Sequence, residues 1–381
     1  MSNENRLFKV GLLGPTRVGK TSLVTCLLTD GQRLLEQKPV TFTAADTPTR
    51  AKIANHRNEL NGSLLAGMFN PGALSANEDS FTFRLLVDPG VANAGIMLEL
   101  LDFPGGWLDD SRRRPEDEGR WDLCVEHIKQ SSVLLVPIDA TILMGAQSAS
   151  QVKALPSILA IATVADVARL WAKQRAQQSD EPALLCLCPV KCESYFKDNG
   201  GYRDASAQLL QMVRKVYRDV LAAVQGDAPE AAIRYCPVDT IGCVEAQSVD
   251  WQPDDSQPGG YSVSATYLVR PPGEIRAKGI DDVFVSLCQQ ITEVSRRIEE
   301  RAAGQQTRVA RYQQEVAERR EGWWRNFTLW VSGERQRMRE AALRGESEAQ
   351  QAWARVNAFE RVVKELANRP FGDRTIDLKE I

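Results

Sequence analysis

One octapeptide, Gly14-Pro15-Thr16-Arg17-Val18-Gly19-Lys20-Thr21, sets two glycines, a lysine and a hydroxyl residue at the spacing G-x-x-x-x-G-K-[ST]. Glycines at these positions let backbone N–H groups turn inward and cradle anionic oxygens at the positive end of the helix that follows. Lys20 can reach the outer oxygens of a phosphate chain, and the Thr21 hydroxyl is a hard ligand suited to Mg2+. The candidate phosphate-binding residues are therefore Gly14 to Thr21, with Ser22 beside them in the first helical turn. A second constellation, Asp102-Phe103-Pro104-Gly105, closes an apolar run. Its carboxylate can hold the same Mg2+ through water, and the Gly105 N–H can meet the terminal phosphate. A third, Val190-Lys191-Cys192-Glu193, also follows an apolar run. Lys191 can pack along a base plane and Glu193 can accept two N–H donors from guanine. Val190 lacks the side-chain bonds that Asn or Thr would offer at its place.

Positioning these groups requires strands that end where the motifs begin. Apolar runs at Leu7–Gly14, Phe81–Val87, Ile96–Asp102, Val133–Asp139, Ala183–Pro189 and Ile233–Val238 alternate with helical patterns at Lys20–Leu28, Pro156–Ala176, Ala205–Val224 and Asp281–Glu300. That alternation predicts an α/β sheet with both faces covered. Asp88-Pro89-Gly90 is a turn signal, so the runs on either side of it should pair as an antiparallel hairpin. Two insertions interrupt the pattern, at about 29–80 and 243–270. In the second, the turn-rich WQPDDSQPGG should end a hairpin whose return strand is Tyr261–Val269.

With 381 residues, 43% hydrophobic and 25% charged, the chain has the composition of a globular protein of one large domain with an appendage, or of two domains. Its net charge of −3 gives no reason to expect a nucleic-acid partner. Eight cysteines show no paired zinc spacing, and Cys186, Cys188 and Cys192 read as buried reduced thiols. His56 and His127 are the two histidines, and neither falls in a motif that would make it catalytic. With no apolar stretch of 18 residues and no signal segment, the expected location is cytoplasmic.

With the three motifs in register, the chain resembles the translation-factor-like (TRAFAC) class of P-loop GTPases over about Leu7–Ile298. The phrases Thr47-Pro48-Thr49, Asp102-Phe103-Pro104-Gly105-Gly106-Trp107-Leu108 and Lys191-Cys192-Glu193 resemble its bacterial double-GTPase branch, which is linked to biological conflict. The resemblance implies a P-loop GTPase domain over residues 1–300, with a three-layer α/β/α sheet that is mostly parallel with one antiparallel strand. It also implies GTP and GDP as ligands, Mg2+ as cofactor, and hydrolysis as a nucleotide-dependent switch. Many GTPases place a water-orienting Gln directly after D-x-x-G; here that place holds Gly106, then Trp107. Guanylate-binding proteins and atlastins carry an arginine at the place of Arg17, where it acts as an internal arginine finger. Arg17 is thus the candidate to assist Lys20 and Gly105 in catalysis, the alternatives being that it points to solvent or pairs with an acid such as Asp109 or Asp110. The threonine that covers the terminal phosphate and ligates Mg2+ would be one of Thr41, Thr43, Thr47 and Thr49; the resemblance favours Thr47-Pro48-Thr49, and Thr49 is taken as the ligand. Two other readings stand beside this one: a nucleotide-gated scaffold with little hydrolysis, and an ATP-using P-loop enzyme.

Residues 301–381 read as a C-terminal helical extension, a helical hairpin whose second helix runs to about Ala367 with an apolar stripe of Trp353, Val356, Phe359, Val363 and Leu366. Trp323, Trp324, Phe327, Leu329, Trp330 and Val331 cluster between arginines. Such a cluster suits a core between tail and sheet, a hot spot for a protein partner or a second copy, or, less favoured, a membrane surface. Arg112-Arg113-Arg114 reads as a solvated loop.

Overall fold

A run such as LLCLCPV at residues 184–190 has no polar side chain for either face, so a strand built from it must be covered on both sides. The computed structural model describes residues 6–65, 68–71, 74, 78–91, 94–110, 113–178, 181–200, 204–254, 260–304 and 347–379. In chain order these form β1 (Arg6–Leu12), α1 (Lys20–Leu35), β2 (Thr41–Ala44), α2 (Thr47–Leu65), β3 (Met68–Phe69), β4 (Phe81–Asp88) and β5 (Ile96–Asp102). Then come α3 (Glu118–Lys129), β6 (Val133–Asp139), α4 (Ala140–Gly145), α5 (Ala149–Ile158), α6 (Ile161–Gln177), β7 (Leu184–Val190), α7 (Ser206–Val216) and α8 (Arg218–Asp227). The chain continues with β8 (Ala232–Tyr235), β9 (Val244–Asp254), β10 (Gly260–Val269), α9 (Ile280–Gly304), α10 (Ser347–Ala367) and β11 (Ile376–Asp377).

The main sheet has eight strands in the order β11-β8-β7-β6-β1-β5-β4-β2. From β8 to β5 every pairing is parallel. The expected hairpin is present as β4 against β5, from Phe81↔Asp102 to Val87↔Ile96. Two strands rather than one run against the rest, because β11 adds antiparallel to β8 at the far edge. The central strands β6 and β7 are buried at every position, and successive side chains join different cores. Leu134 and Val136 belong to a core with Ile128, Val164, Trp171, Leu209 and Val224, hence with α3, α6, α7 and α8. Val133 and Leu135 belong to a second core with Leu23, Leu27, Phe284 and Phe359, hence with α1, α9 and α10. Period-two alternation places the two cores on opposite faces, so the sheet lies between two helical layers. All eight cysteines are buried and form no disulfide, the state expected for Cys186, Cys188 and Cys192.

Several boundaries differ from the sequence reading for identifiable reasons. The pattern at Pro156–Ala176 is two helices, α5 and α6, with Ala160 in the left-handed region between them. The start of α5 is marked by a capping box in which Ser148 and Gln151 satisfy each other's backbone N–H. The pattern at Ala205–Val224 likewise breaks at the fully buried Tyr217 into α7 and α8. The insertion at 29–80 is not a long loop. It carries the last turns of α1, then β2, α2 and β3, and β3 pairs with β10 of the second insertion in a separate three-stranded sheet, β3-β10-β9. No single helix among the described residues is long and apolar enough to cross a membrane.

The C-terminal segment is not a free appendage. Phe359, Val362, Val363 and Leu366 of α10 pack into the α1–α9 core, Val356 is buried as well, and Gln289 donates to the Ala367 carbonyl at 2.9 Å. The side chain of Trp353, the first tail helix and the aromatic cluster at 323–331 lie outside the described residues.

The tightest helix-to-sheet approach lies at Gly31 of α1, where a Cβ would sit 2.6 Å from the Phe42 ring and 3.1 Å from Phe284. Those two rings meet at a tilt of 48°, with centroids 5.1 Å apart. Gly→Ala inside a helix ordinarily stabilises by up to ~1 kcal/mol. Gly31→Ala should do the reverse and cost ~1–3 kcal/mol from overpacking, read as a lower urea midpoint at unchanged m-value.

Candidate functional site

In an open α/β sheet a ligand crevice forms where the chain leaves adjacent strands toward opposite sides. Here β1 is flanked by β5 on one side and β6 on the other, and the glycine-rich loop leaves its carboxyl end. The loop folds as its glycines require: Gly19 has φ 109°, and Arg17 also takes a left-handed φ of 60°. With these turns the loop lines a cleft together with Asp102 to Gly105, Lys191 and Thr240.

Lys20 lies at the cleft floor, buried, and donates to the carbonyls of Gly14 at 2.9 Å and Pro15 at 3.2 Å. Its ammonium is 3.9 Å from Asp102 Oδ1 and 5.3 Å above the Phe103 ring. Burial pushes the Lys20 pKa down, and Asp102 opposes that shift. Asp102, fully buried at the end of β5, accepts the Thr21 hydroxyl at 2.7 Å. Sequence reasoning assigned the ammonium, the hydroxyl and the carboxylate separately, and the fold brings them together. The hydroxyl and carboxylate are adjacent hard oxygen donors, the chemistry Mg2+ takes when phosphates and waters complete its shell. They would hold that ion. Among the described residues no group of three or more His, Cys, Asp or Glu could form a metal cage.

Gly105 rests on the glycine-rich loop itself. A Cβ there would fall 2.0 Å from the Thr16 nitrogen and 2.2 Å from the Pro15 carbonyl carbon, so only glycine permits this approach. The D-x-x-G segment is held from behind by Phe103, edge-on to Trp121 at 5.5 Å, and by buried Trp107 and Leu108. Trp107 is thus committed to the core. Arg113, expected in a solvated loop, is instead nearly buried: it donates to the Trp107 carbonyl at 2.7 Å, pairs with Asp110, and lies 5.2 Å from the Trp121 ring. Ser111 and Arg112 lie outside the described residues.

Arg17 is exposed at the cleft, and among the described residues its side chain has no ion pair. The alternative of a pair with Asp110 is not realised, since that carboxylate holds Arg113. Val18 is the one loop residue turned into the core, at 1% exposure.

Lys191, with φ 59°, reaches from the end of β7 to the Arg17 carbonyl at 3.1 Å and pairs with Asp139. Burial opposes its charge, but Asp139, together with Tyr267 and Glu193, outweighs that, and its pKa lies above the ordinary lysine value. Glu193 is placed differently from the sequence reading. It is buried and lines no part of the cleft; its Oε1 accepts the amides of Ile241 and Gly242, both at 3.0 Å. Burial, reinforced by Asp239, raises its pKa to about 7.

Thr49, expected as a Mg2+ ligand, is corrected by the structure. It lies in the first turn of α2, is fully buried, and its hydroxyl accepts the Arg84 amide of β4 at 3.0 Å. Thr47 is in the same turn, and Thr41 and Thr43 are in β2. The phrase Thr47-Pro48-Thr49 therefore begins a helix rather than forming a phosphate-covering loop, as Pro at a second helical position permits.

Sequence reasoning missed the far wall of the cleft. Phe69, Pro71 and Leu74 come from the first insertion, and Thr240 and Ile241 from the loop after β8. His56 of α2 also lines the cleft, 2.9 Å from the Ser22 hydroxyl through Nε2.

The Glu193 environment has a pH signature. Its folded pKa lies above the unfolded value, so between about 4.5 and about 7 the unfolded chain releases a proton that the folded chain retains. Stability contributed by this group is present below that window and lost as pH rises through it. Glu193→Gln, which keeps an acceptor for both amides, should flatten the slope and be the more stable protein at pH 8, by on the order of 1–3 kcal/mol, in urea titrations at pH 5 to 8. Comparison of the chain with known protein families and with curated proteins finds no match.

Proposed function

We propose that this chain is a P-loop GTPase of the translation-factor-like class, binding GTP with Mg2+ and hydrolysing it to GDP and phosphate as a switch. The observation that carries the reading is the convergence of Lys20, Thr21 and Asp102 on one cleft floor, with Thr21 and Asp102 hydrogen-bonded across 81 positions of sequence. Carbonyls already hold the lysine pointing into the loop, where a phosphate chain would replace them as its partner.

Phosphoryl transfer to water demands positioning and charge neutralisation rather than covalent chemistry. On this reading the loop amides orient the β and γ phosphates, and Lys20 neutralises their oxygens. Thr21 and Asp102 hold a Mg2+, which supplies further charge neutralisation when bound. Gly105 places its N–H at the loop where the terminal phosphate would lie. Gly106 offers no side chain to orient water and Trp107 is committed to the core, so Arg17, exposed at the cleft and without an ion pair, is the side chain open to assist the leaving oxygen. The setting implied by the resemblance is a bacterial conflict system, with a protein partner or a second copy docking on the switch face or the C-terminal helices.

A second reading, an ATP-using enzyme, is favoured by one observation. The Glu193 carboxylate already accepts two main-chain amides, so it is not pre-aimed at a guanine.

Calorimetry on nucleotide-free protein tests the proposal. Lys20→Ala should weaken Mg·GTP binding by about 100-fold or more while melting like the native chain; native affinity in that variant would remove the reading. Displacement of labelled GTP by ATP at equal concentration would discard guanine selectivity. Arg17→Ala should leave affinity nearly intact and lower single-turnover hydrolysis by ~10³-fold or more, and unchanged turnover would exclude the finger.

A further inference from the structure

The inserted helix α2 contacts both the glycine-rich loop's helix and the small sheet, and gives the cleft His56. Its side chains at steps of three and four do different work along its length. Thr49 is tied to β4 through the Arg84 amide, and Ile53 is in the α1 core. Leu60 and Leu64 pack with Phe69, Ile241 and Tyr267 under the small sheet. Between Ile53 and Leu60, on the same stripe, stands His56, 9% exposed, with Nε2 on the Ser22 hydroxyl. Ser22 is itself 8% exposed and occupies the turn whose preceding residues are Lys20 and Thr21. Both side chains line the cleft.

An imidazole is an unusual wall for an apolar stripe, and burial disfavours its charge. In the tautomer protonated at Nε2, the ring offers an N–H donor from outside the loop, beside the turn where oxygens of a phosphate chain would lie. The geometry points to His56 as a phosphate-contacting residue contributed by the first insertion: with nucleotide bound, its ring N–H donates to a phosphate oxygen in place of its apo contact with the Ser22 hydroxyl. The inference rests on the proposed phosphate site. It adds a specific consequence, that α2 is the element through which an occupied loop is felt at the small sheet, since one rigid helix carries both His56 and the Leu60–Leu64 contacts.

The chain's having two histidines makes the test direct. Protein labelled with 13C at the imidazole C2 gives one signal for His56 and one for His127, assigned with His127→Gln; His127 of α3 lines no part of the cleft. Mg·GDP and Mg·GTP, each at saturation judged by calorimetry on the same sample, should move the His56 signal and leave that of His127 in place. His56→Ala should weaken both nucleotides by about 10-fold or more, and His56→Gln, which retains an N–H donor, should recover binding to within about 3-fold of native. Calorimetric saturation with a stationary His56 signal, or a native-like Kd in His56→Ala, would overturn the inference and leave the proposed function standing. Absence of any heat with either nucleotide would overturn both. Should His56→Ala fold poorly, the signal of the native chain and the affinity of His56→Gln decide: a Gln variant as weak as any cleft-disrupting change assigns His56 a structural role only.

Discussion

A buried ammonium group organises this molecule. Lys20 is enclosed at the carboxyl end of β1, where its charge is costly to desolvate. The structure answers with two main-chain carbonyls, a carboxylate and an aromatic face, each of which fixes an element. The carbonyls of Gly14 and Pro15 close the loop on itself, while Asp102 ties the end of β5 to the start of α1. Phe103 draws the D-x-x-G segment onto the same spot. A cation compensated mainly by neutral carbonyls retains a strong preference for an anion, which is why the proposed phosphate site is also the point on which the surrounding elements converge.

Around that point the chain has built outward with segments that a minimal sheet lacks. The two insertions meet in the β3-β10-β9 sheet, whose core of Leu60, Phe69, Ile241 and Tyr267 forms a roof over one side of the cleft. From the opposite edge the C-terminal segment returns through Arg374, which pairs with Asp198 and Asp239 and stacks on Phe196. Gly372 and Thr375 are fastened to Asp282 of α9. Asp239, fully buried, directly precedes Thr240 and Ile241 of the cleft wall. The tail beyond α10 thus braces the very loop that the proposed base would meet, and Glu193 braces it from the other side. Nearly buried charges recur in this corner because each is held by a partner from a distant segment, an arrangement that fixes loops with little apolar area of their own.

These dependencies explain what could be read from the chain. Strands such as Val133–Asp139 and the Phe81–Asp102 hairpin were legible because unbroken apolar runs and Asp88-Pro89-Gly90 are local signals. Helix α2 was not, since the sequence from Thr47 to Leu65 mixes polar and apolar residues with little helical periodicity, and Thr47-Pro48-Thr49 mimics a loop. Strand β11 escaped because two residues at an edge have no periodicity to detect. Neither break, at Ala160 or at Tyr217, falls on a glycine or proline, so no local signal marks it.

The amino-acid sequence by itself determined the α/β class, the glycine-rich turn after β1, and the chemical identity of Lys20, Thr21 and Asp102. Each depends on a few neighbouring residues whose backbone freedom, charge or apolarity acts at short range. Tertiary structure alone decided that Thr49 would serve β4, that Glu193 would hold the Ile241–Gly242 turn, and that His56, Thr240 and Phe69 would wall the cleft. Those outcomes turn on which distant surfaces exclude water together, and burial is a property of the assembled chain that no local spacing encodes.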